Sequence, residues 1–221
     1  MTSSALRSAL RVLVLTDRRL AGSRDVREVV ASALEAGARA IQLRNKGDSA
    51  WELLALGRDL RAMTRERGAL LFVNDRVDVA MALEADGVHV GPHDLPVAAV
   101  RAIAPRDFLV GRSTDDPEVA RRAVAEGADY IGCGTVYATA TKADAGEVIG
   151  LSGLEAVVRA VRVPVIGIGG ITVQRAGEVA RIGAAGVAVV GAVMAASDPA
   201  AAVRGLLGAF GGTTPGTGNS A

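Results

Sequence analysis

The sequence predicts a (β/α)8 barrel, and three observations carry that expectation. A unit of short β-branched run, polar turn and amphipathic helix recurs at roughly 20–35 residue spacing. The runs are continuously apolar rather than alternating, as in Val12-Leu-Val-Leu15 and Val187-Ala-Val-Val190, which marks strands buried on both faces of a parallel sheet. The junctions from helix to next strand also repeat: Glu35-Ala-Gly-Ala38, Glu84-Ala-Asp-Gly87, Glu126-Gly-Ala-Asp129 and Ile182-Gly-Ala-Ala185. A glycine there is expected to end each helix in the left-handed conformation.

Eight strands are expected near 11–16, 39–44, 70–74, 87–90, 107–112, 128–133, 163–168 and 186–190. Between them, Trp51 to Arg65 places Leu53, Leu56 and Leu60 at helical spacing. Pro117 to Glu126 does the same with Val119, Ala120, Ala123 and Val124, and Pro117 suits a first helical turn. An open doubly wound sheet is the competing arrangement. It calls for Gly-x-Gly-x-x-Gly after the first strand, where this chain has Thr16-Asp-Arg-Arg-Leu20. No domain boundary is evident: residues 1–209 are expected to form the barrel, and 210–221, rich in glycine and threonine, a disordered tail.

Composition narrows the function classes. Half of the 221 residues are hydrophobic and only 3% aromatic, so the core is built from Ala, Val, Leu and Ile. A net charge of +1 gives no global attraction to nucleic acid or anionic membrane. The single cysteine, Cys133, excludes an intrachain disulfide framework, and it reads as small packing at a strand end. No apolar run approaches the ~18 residues of a membrane span, and the N-terminus lacks a signal-peptide core. A cytoplasmic enzyme of small molecules is expected, with no nucleic acid or membrane partner and with a homo-oligomer allowed.

Catalytic groups of such barrels lie at the C-terminal strand ends, and the polar residues concentrate there. Asp75, in Phe72-Val-Asn-Asp-Arg76, and Asp94, in Gly87-Val-His-Val-Gly-Pro-His-Asp94, follow successive strands. Together they suit a magnesium–diphosphate site, against the plainer reading that Asn74, Asp75 and Asp94 cap the helices that follow. Arg44 and Lys46 follow the second strand, with Gln42 on the same face as Arg44. Thr135 to Gly150 is a long polar segment holding Thr139, Thr141 and Lys142, as lids do. The glycines of Ile166-Gly-Ile-Gly-Gly-Ile171 and Val189-Val-Gly-Ala192 stand where the recurrent phosphate site of this fold lies. His89 reads as a satisfied wall histidine and His93 as a loop residue. Ser113 has no histidine at fixed spacing and reads as a hydrogen-bond donor rather than a nucleophile.

From about Val12 to Gly208 the chain resembles the thiamine-phosphate synthase family. The resemblance rests on Gln42-Leu-Arg-Asn-Lys46, Val73-Asn-Asp-Arg-Val-Asp78, Ala85-Asp-Gly-Val-His-Val-Gly91 with Asp94-Leu-Pro96, Gly127-Ala-Asp-Tyr-Ile-Gly132, Thr139-Ala-Thr-Lys142, Gly169-Gly-Ile171 and Gly186-Val-Ala-Val-Val190. It implies coupling of a hydroxymethylpyrimidine diphosphate to a thiazole phosphate, with release of diphosphate through a dissociative, magnesium-assisted step. It implies that Asp75 and Asp94 hold Mg2+, that Gln42, Arg44, Lys46, Asn74 and Lys142 engage the diphosphate and pyrimidine, and that Ser113 contacts the pyrimidine. Arg44, Lys46, Lys142 and Ser113 are then the catalytic set. Thr139, Thr141 and the backbone near Gly170, Val190 and Gly191 hold the thiazole phosphate. Three positions depart from the family pattern: Pro92 where Gln is common, Tyr137-Ala138 where Pro precedes the threonine loop, and Gly191 where Ser is usual. A thiazole tautomerase or a non-catalytic thiazole-phosphate binder is the alternative, but neither needs the diphosphate set.

Overall fold

The structure, a computed structural model, describes residues 1–139 and 147–211. The apolar runs form eight parallel strands: β1 (Val12–Leu15), β2 (Ala40–Leu43), β3 (Leu70–Asn74), β4 (Gly87–Val90), β5 (Leu109–Ser113), β6 (Tyr130–Cys133), β7 (Val165–Ile168) and β8 (Gly186–Val189). They hydrogen-bond in sequence order, and β8 pairs with β1, so the sheet closes into a barrel. Helices follow in turn: α1 (Ser3–Ala9) before β1; α2 (Arg18–Ala21) and α3 (Val26–Glu35) after it; then α4 (Ala50–Glu66), α5 (Val77–Ala82), α6 (Val97–Ile103), α7 (Pro117–Ala125), α8 (Gly150–Ala160) and α9 (Val173–Arg181) after successive strands; and α10 (Gly191–Met194) and α11 (Pro199–Gly208) after β8. None of these helices is long and apolar enough to cross a membrane.

The strand period of two divides each run between two cores. Val12, Val14, Ile41, Leu43, Leu71, Val73, Val88, Val110, Ile131 and Val187 pack outward under the helices. Leu13, Leu15, Phe72, Tyr130 and Ile166 fill the inside. Near the N-terminal end, Leu6 and Leu10 join that inner cluster from α1 and the residue that ends it. Thr2 starts α1 by accepting the Ala5 N–H at 3.2 Å. At the other terminus Phe210 is buried in the outer core.

The expectation of a left-handed glycine holds at three of the four junctions: Gly37, Gly127 and Gly183 have φ of 106°, 106° and 87°. At the fourth the structure differs. Glu84 takes the left-handed turn, with φ of 48°. Gly87 opens β4 and is needed for a different reason, since a Cβ there would lie 2.3 Å from the backbone oxygen of Leu109.

Two of these junctions also hold an acid with a structural task. Asp86 accepts the Leu71 N–H at 2.8 Å and pairs with Arg61 at 2.6 Å. Asp129 accepts the Val110 N–H at 2.7 Å and pairs with Arg101, which also donates to the Gly127 and Phe108 carbonyls. Each acid satisfies the amide of a barrel strand and pairs with an arginine, and at Asp129 that arginine also gathers carbonyls. Asp129→Ala is expected to cost about 1–3 kcal/mol of stability by leaving the Val110 amide and the guanidinium short of partners. Because the residue lies at the N-terminal end of the barrel, catalytic constants of the folded fraction should not move; parallel denaturant melts and kinetics check both halves.

Candidate active site

The polar residues at the C-terminal strand ends are placed by the same alternation that builds the core. On β2, Gln42 shares the inward face with Ala40, and Arg44 follows two residues on. Gln42 is 2% exposed and Arg44 9%. Arg44 is held from β1: its backbone N–H donates to Thr16 Oγ1 at 2.9 Å, and its guanidinium lies 3.8 Å from Asp17 Oδ2. The other Asp17 oxygen caps α2 by accepting the Arg19 and Leu20 N–H groups. One buried carboxylate therefore starts a helix and faces the arginine together. The next loop is tied to the first by Arg18, whose backbone N–H donates to Asn45 Oδ1 and whose guanidinium pairs with Asp48 at 2.9 Å. Lys46 is exposed on that loop.

Asp75 and Asp94 come together. Neither caps a helix: the N-cap residues of α5 and α6 are Arg76 and Pro96, with no side-chain capping bond. Asp75 has φ of 62°, a left-handed backbone uncommon outside glycine but tolerated by Asp and Asn. That turn is held by the Asp75 N–H donating to the His89 carbonyl at 2.8 Å and the Arg76 N–H to the Asn74 carbonyl at 2.7 Å. Asp94 is fixed by the Gly91 N–H, which donates to its Oδ2 at 2.7 Å, and Arg112 holds the Gly91 carbonyl. Burial, then a hydrogen bond and charge repulsion from Asp94, push the Asp75 carboxyl up to about 6, against the opposing pull of Arg44 and Lys46. A groove of about 570 Å3 opens from this pair toward Met81 and Ile103.

Across the mouth, Gly169 and Gly170 follow β7 with φ of 100° and 61°. Neither α9 nor α10 has a side-chain cap, and uncapped first-turn N–H groups are of the kind that can donate to an anion. Val190 and Gly191 form the start of α10. Arg24 closes the far end of that short helix by donating to the Met194 and Ala196 carbonyls. The segment after β6 is anchored at its root. Tyr137 donates its hydroxyl to Glu178 at 2.6 Å, and Arg175 lies over the Tyr137 ring at 4.6 Å while donating to the Gly170 carbonyl at 2.9 Å. Burial and the Glu178 carboxylate push the Tyr137 phenol up to about 12. Thr139 is half-buried next to that root, whereas Thr141 and Lys142 lie outside the described residues.

Two residues escape a reading of the sequence, Asp17 and Tyr130, while His89 is the satisfied wall histidine expected from the sequence. Asp17 stands at the tip of β1, in the position that marked the other candidates. Tyr130 and His89 occupy inward positions, and strand alternation is the signal that finds them. Contrary to the expectation from spacing along the chain, a histidine does reach Ser113: His89 Nε2 lies 2.7 Å from its Oγ, across the parallel register of β4 and β5. Cys133 is buried, and its thiol is pushed up to about 12 by burial, so it is a packing residue.

The acid pair makes a prediction about stability. With a folded value above the ordinary 3.8, the folded metal-free protein holds a proton on Asp75 more tightly than the unfolded chain does. This group therefore favours folding most at low pH, and that contribution fades as pH rises from about 4 through 6. Asp75→Asn removes the repulsion, keeps a residue suited to the left-handed turn, and should raise the metal-free melting temperature at pH 7.5 by about 2–4 °C. The carboxyl is half-buried, so solvent screening keeps the gain to that order. Calorimetric melts of the variant and the unsubstituted protein in chelator check the shift.

Comparison with known proteins identifies the family and the fold. A family model described as thiamine monophosphate synthase matches residues 12–193. A thiamine-phosphate synthase of Roseiflexus castenholzii is 51% identical over 195 residues, covering 88% of this chain and 86% of that one. One from Pyrococcus furiosus is 48% identical over 193 residues, covering 87% and 91%. Among solved structures, thiamine phosphate pyrophosphorylase from Pyrococcus furiosus superposes with a TM-score of 0.85 at 45% identity, covering 93% of this chain and 97% of that one. A 3-hexulose-6-phosphate synthase, at 22% identity and a TM-score of 0.66, shares the barrel alone. Matched by the family model over residues 12–193 and half identical to a relative along most of both chains, the chain belongs to the thiamine-phosphate synthase family.

Proposed function

We propose that the chain joins a hydroxymethylpyrimidine diphosphate to a thiazole phosphate, with magnesium held by Asp75 and Asp94 and the diphosphate gripped by Arg44 and Lys46. Membership of the family makes the chain a transferase of small molecules in thiamine biosynthesis. The observation that supports the finer reading is the pair of facing carboxyls with two cations acting on the same spot. Two repelling acids without an arginine of their own are a cost to the fold, and a divalent cation relieves it. Mg2+ takes one or two protein carboxylates and completes its shell with phosphate oxygens and water, so a third protein ligand is not required. When bound, the ion would neutralise charge on the leaving diphosphate.

The residues then divide the work. Arg44, oriented by Asp17 and Thr16, offers its fork to phosphate oxygens. Lys46 and Lys142 add mobile positive charge, and Asn74 adds a polar contact at the tip of β3. Gln42 and Ser113 meet the pyrimidine from the barrel wall. Thr139, Thr141 and the backbone at Gly170, Val190 and Gly191 take the thiazole phosphate, with Gly191 contributing through its amide alone. In the reaction, the bond between the pyrimidine methylene and the diphosphate oxygen breaks, and the electron pair leaves with the diphosphate. The thiazole nitrogen lone pair forms the new carbon–nitrogen bond. No proton moves, so the site needs charge stabilisation rather than a general base.

Incubation of the purified protein with both substrates and magnesium should yield thiamine phosphate and diphosphate, and chelator should abolish product. Product formed equally in chelator would remove the metal role; no product from folded protein would point to a thiazole-phosphate binder or isomerase. Asp17→Asn tests the support of Arg44. An amide oxygen still caps α2, so stability should change by less than about 1 kcal/mol. The lost counter-charge should lower kcat/KM for the pyrimidine diphosphate by about tenfold, roughly 1.4 kcal/mol of transition-state binding. Steady-state kinetics on both substrates read the effect.

A further inference from the structure

Two buried rings that neither the fold nor the chemistry above accounts for, Tyr130 and His89, form one chain with the partly buried Ser113 across the barrel interior. Tyr130 Oη lies 3.0 Å from His89 Nδ1, and His89 Nε2 lies 2.7 Å from Ser113 Oγ. Gln42 reaches the Tyr130 hydroxyl from the other side. Tyr130 is fully buried and His89 is 8% exposed. The neighbouring strands are shaped to hold both rings. A Cβ on Gly111 would sit 2.1 Å from Tyr130 Cζ and 2.5 Å from His89 Nδ1, and one on Gly132 would sit 2.9 Å from His89 Cε1. Phe72 packs edge-on against Tyr130, with ring centroids 5.3 Å apart.

The direction of the chain follows from one atom. A buried phenol must place its proton on an acceptor. Gln42 Oε1 is buried and has no hydrogen-bond partner, so the phenol proton does not go there. It goes to His89 Nδ1. That leaves His89 to carry its own proton on Nε2 and to donate it to Ser113 Oγ. A serine that accepts from histidine keeps its own proton for a third group. The same polarity rules out His89 as a base for Ser113, because the ring nitrogen nearest the hydroxyl is already protonated.

We propose that Tyr130 and His89 are positioning residues which fix Ser113 as a one-way donor into the barrel mouth. This rests on the assignment of Gln42 and Ser113 to the pyrimidine. A fixed hydroxyl donor fits a ring nitrogen that carries a lone pair. The network then favours the orientation of an aminopyrimidine that turns such a nitrogen toward Ser113.

The tautomer can be read without turnover. The chain has two histidines, and His93→Gln assigns their signals, since His93 is exposed in the loop after β4. Long-range 1H–15N spectra of the 15N-labelled, ligand-free protein at pH 7.5 should show His89 protonated at Nε2 and bare at Nδ1. Protonation at Nδ1 alone, or at both nitrogens, would overturn the proposal even if the enzyme is fully active. Tyr130→Phe should mix the two tautomers and raise KM for the pyrimidine diphosphate by about tenfold, the loss of one oriented hydrogen bond, with KM for thiazole phosphate unchanged. Equal losses on both substrates, or none, would reduce Tyr130 to packing and overturn its positioning role. If that variant does not fold, the spectra of the unsubstituted protein decide alone.

Discussion

Every placement in this protein depends on one constraint, the two-residue period of short strands closed into a barrel. Each strand is four or five residues long, and both of its faces are buried. One residue of slip in any of them would exchange the inner and outer sets. Val88 would then enter the barrel and His89 would be pressed among the helices. The outward valines and leucines under the helices are therefore what locks the inward polar set in place. The site is rigid because its position is settled by hydrophobic contacts that take no part in the chemistry.

Acidic residues show how the two ends of the barrel differ. At the N-terminal end, Asp86 and Asp129 each have a strand amide and an arginine, and they serve the fold. At the C-terminal end, Asp75 and Asp94 face each other and raise the proton affinity of Asp75. Asp17 is intermediate, since one oxygen serves a helix start and the other faces Arg44. The residue type is the same in each case; the partners decide whether it stabilises the chain or waits for a ligand. Local stability has been given up where function needs charge.

Much of this could be read along the chain. The apolar runs located all eight strands within a residue or two, because strands buried on both faces leave an unbroken hydrophobic record. Asp75, Asp94, Arg44 and the glycines after β7 could be found because they interrupt that record at strand tips. What stayed hidden was contact between strands. Ser113 and His89 are 24 residues apart, and nothing in their spacing predicts that they touch; parallel register brings them together. The junction at Glu84 misled for a related reason. Gly87 looked like a helix terminator, but close approach of Leu109 demanded it, and that requirement exists only once β4 and β5 are paired. The helix α1 has no strand partner to announce it and is visible only through Leu6 and Leu10 in the inner cluster.

The left-handed backbone at Asp75 also shapes how such a protein can change over generations. Most side chains placed at that position meet a steric penalty of about 1–2 kcal/mol. Glycine, asparagine and aspartate escape it, so these three form the low-barrier set of replacements there. Two of them keep the turn while erasing the charge. A descendant could therefore lose the acid while keeping its barrel and its glycine-lined loops intact, and so change what this end of the barrel does without unfolding.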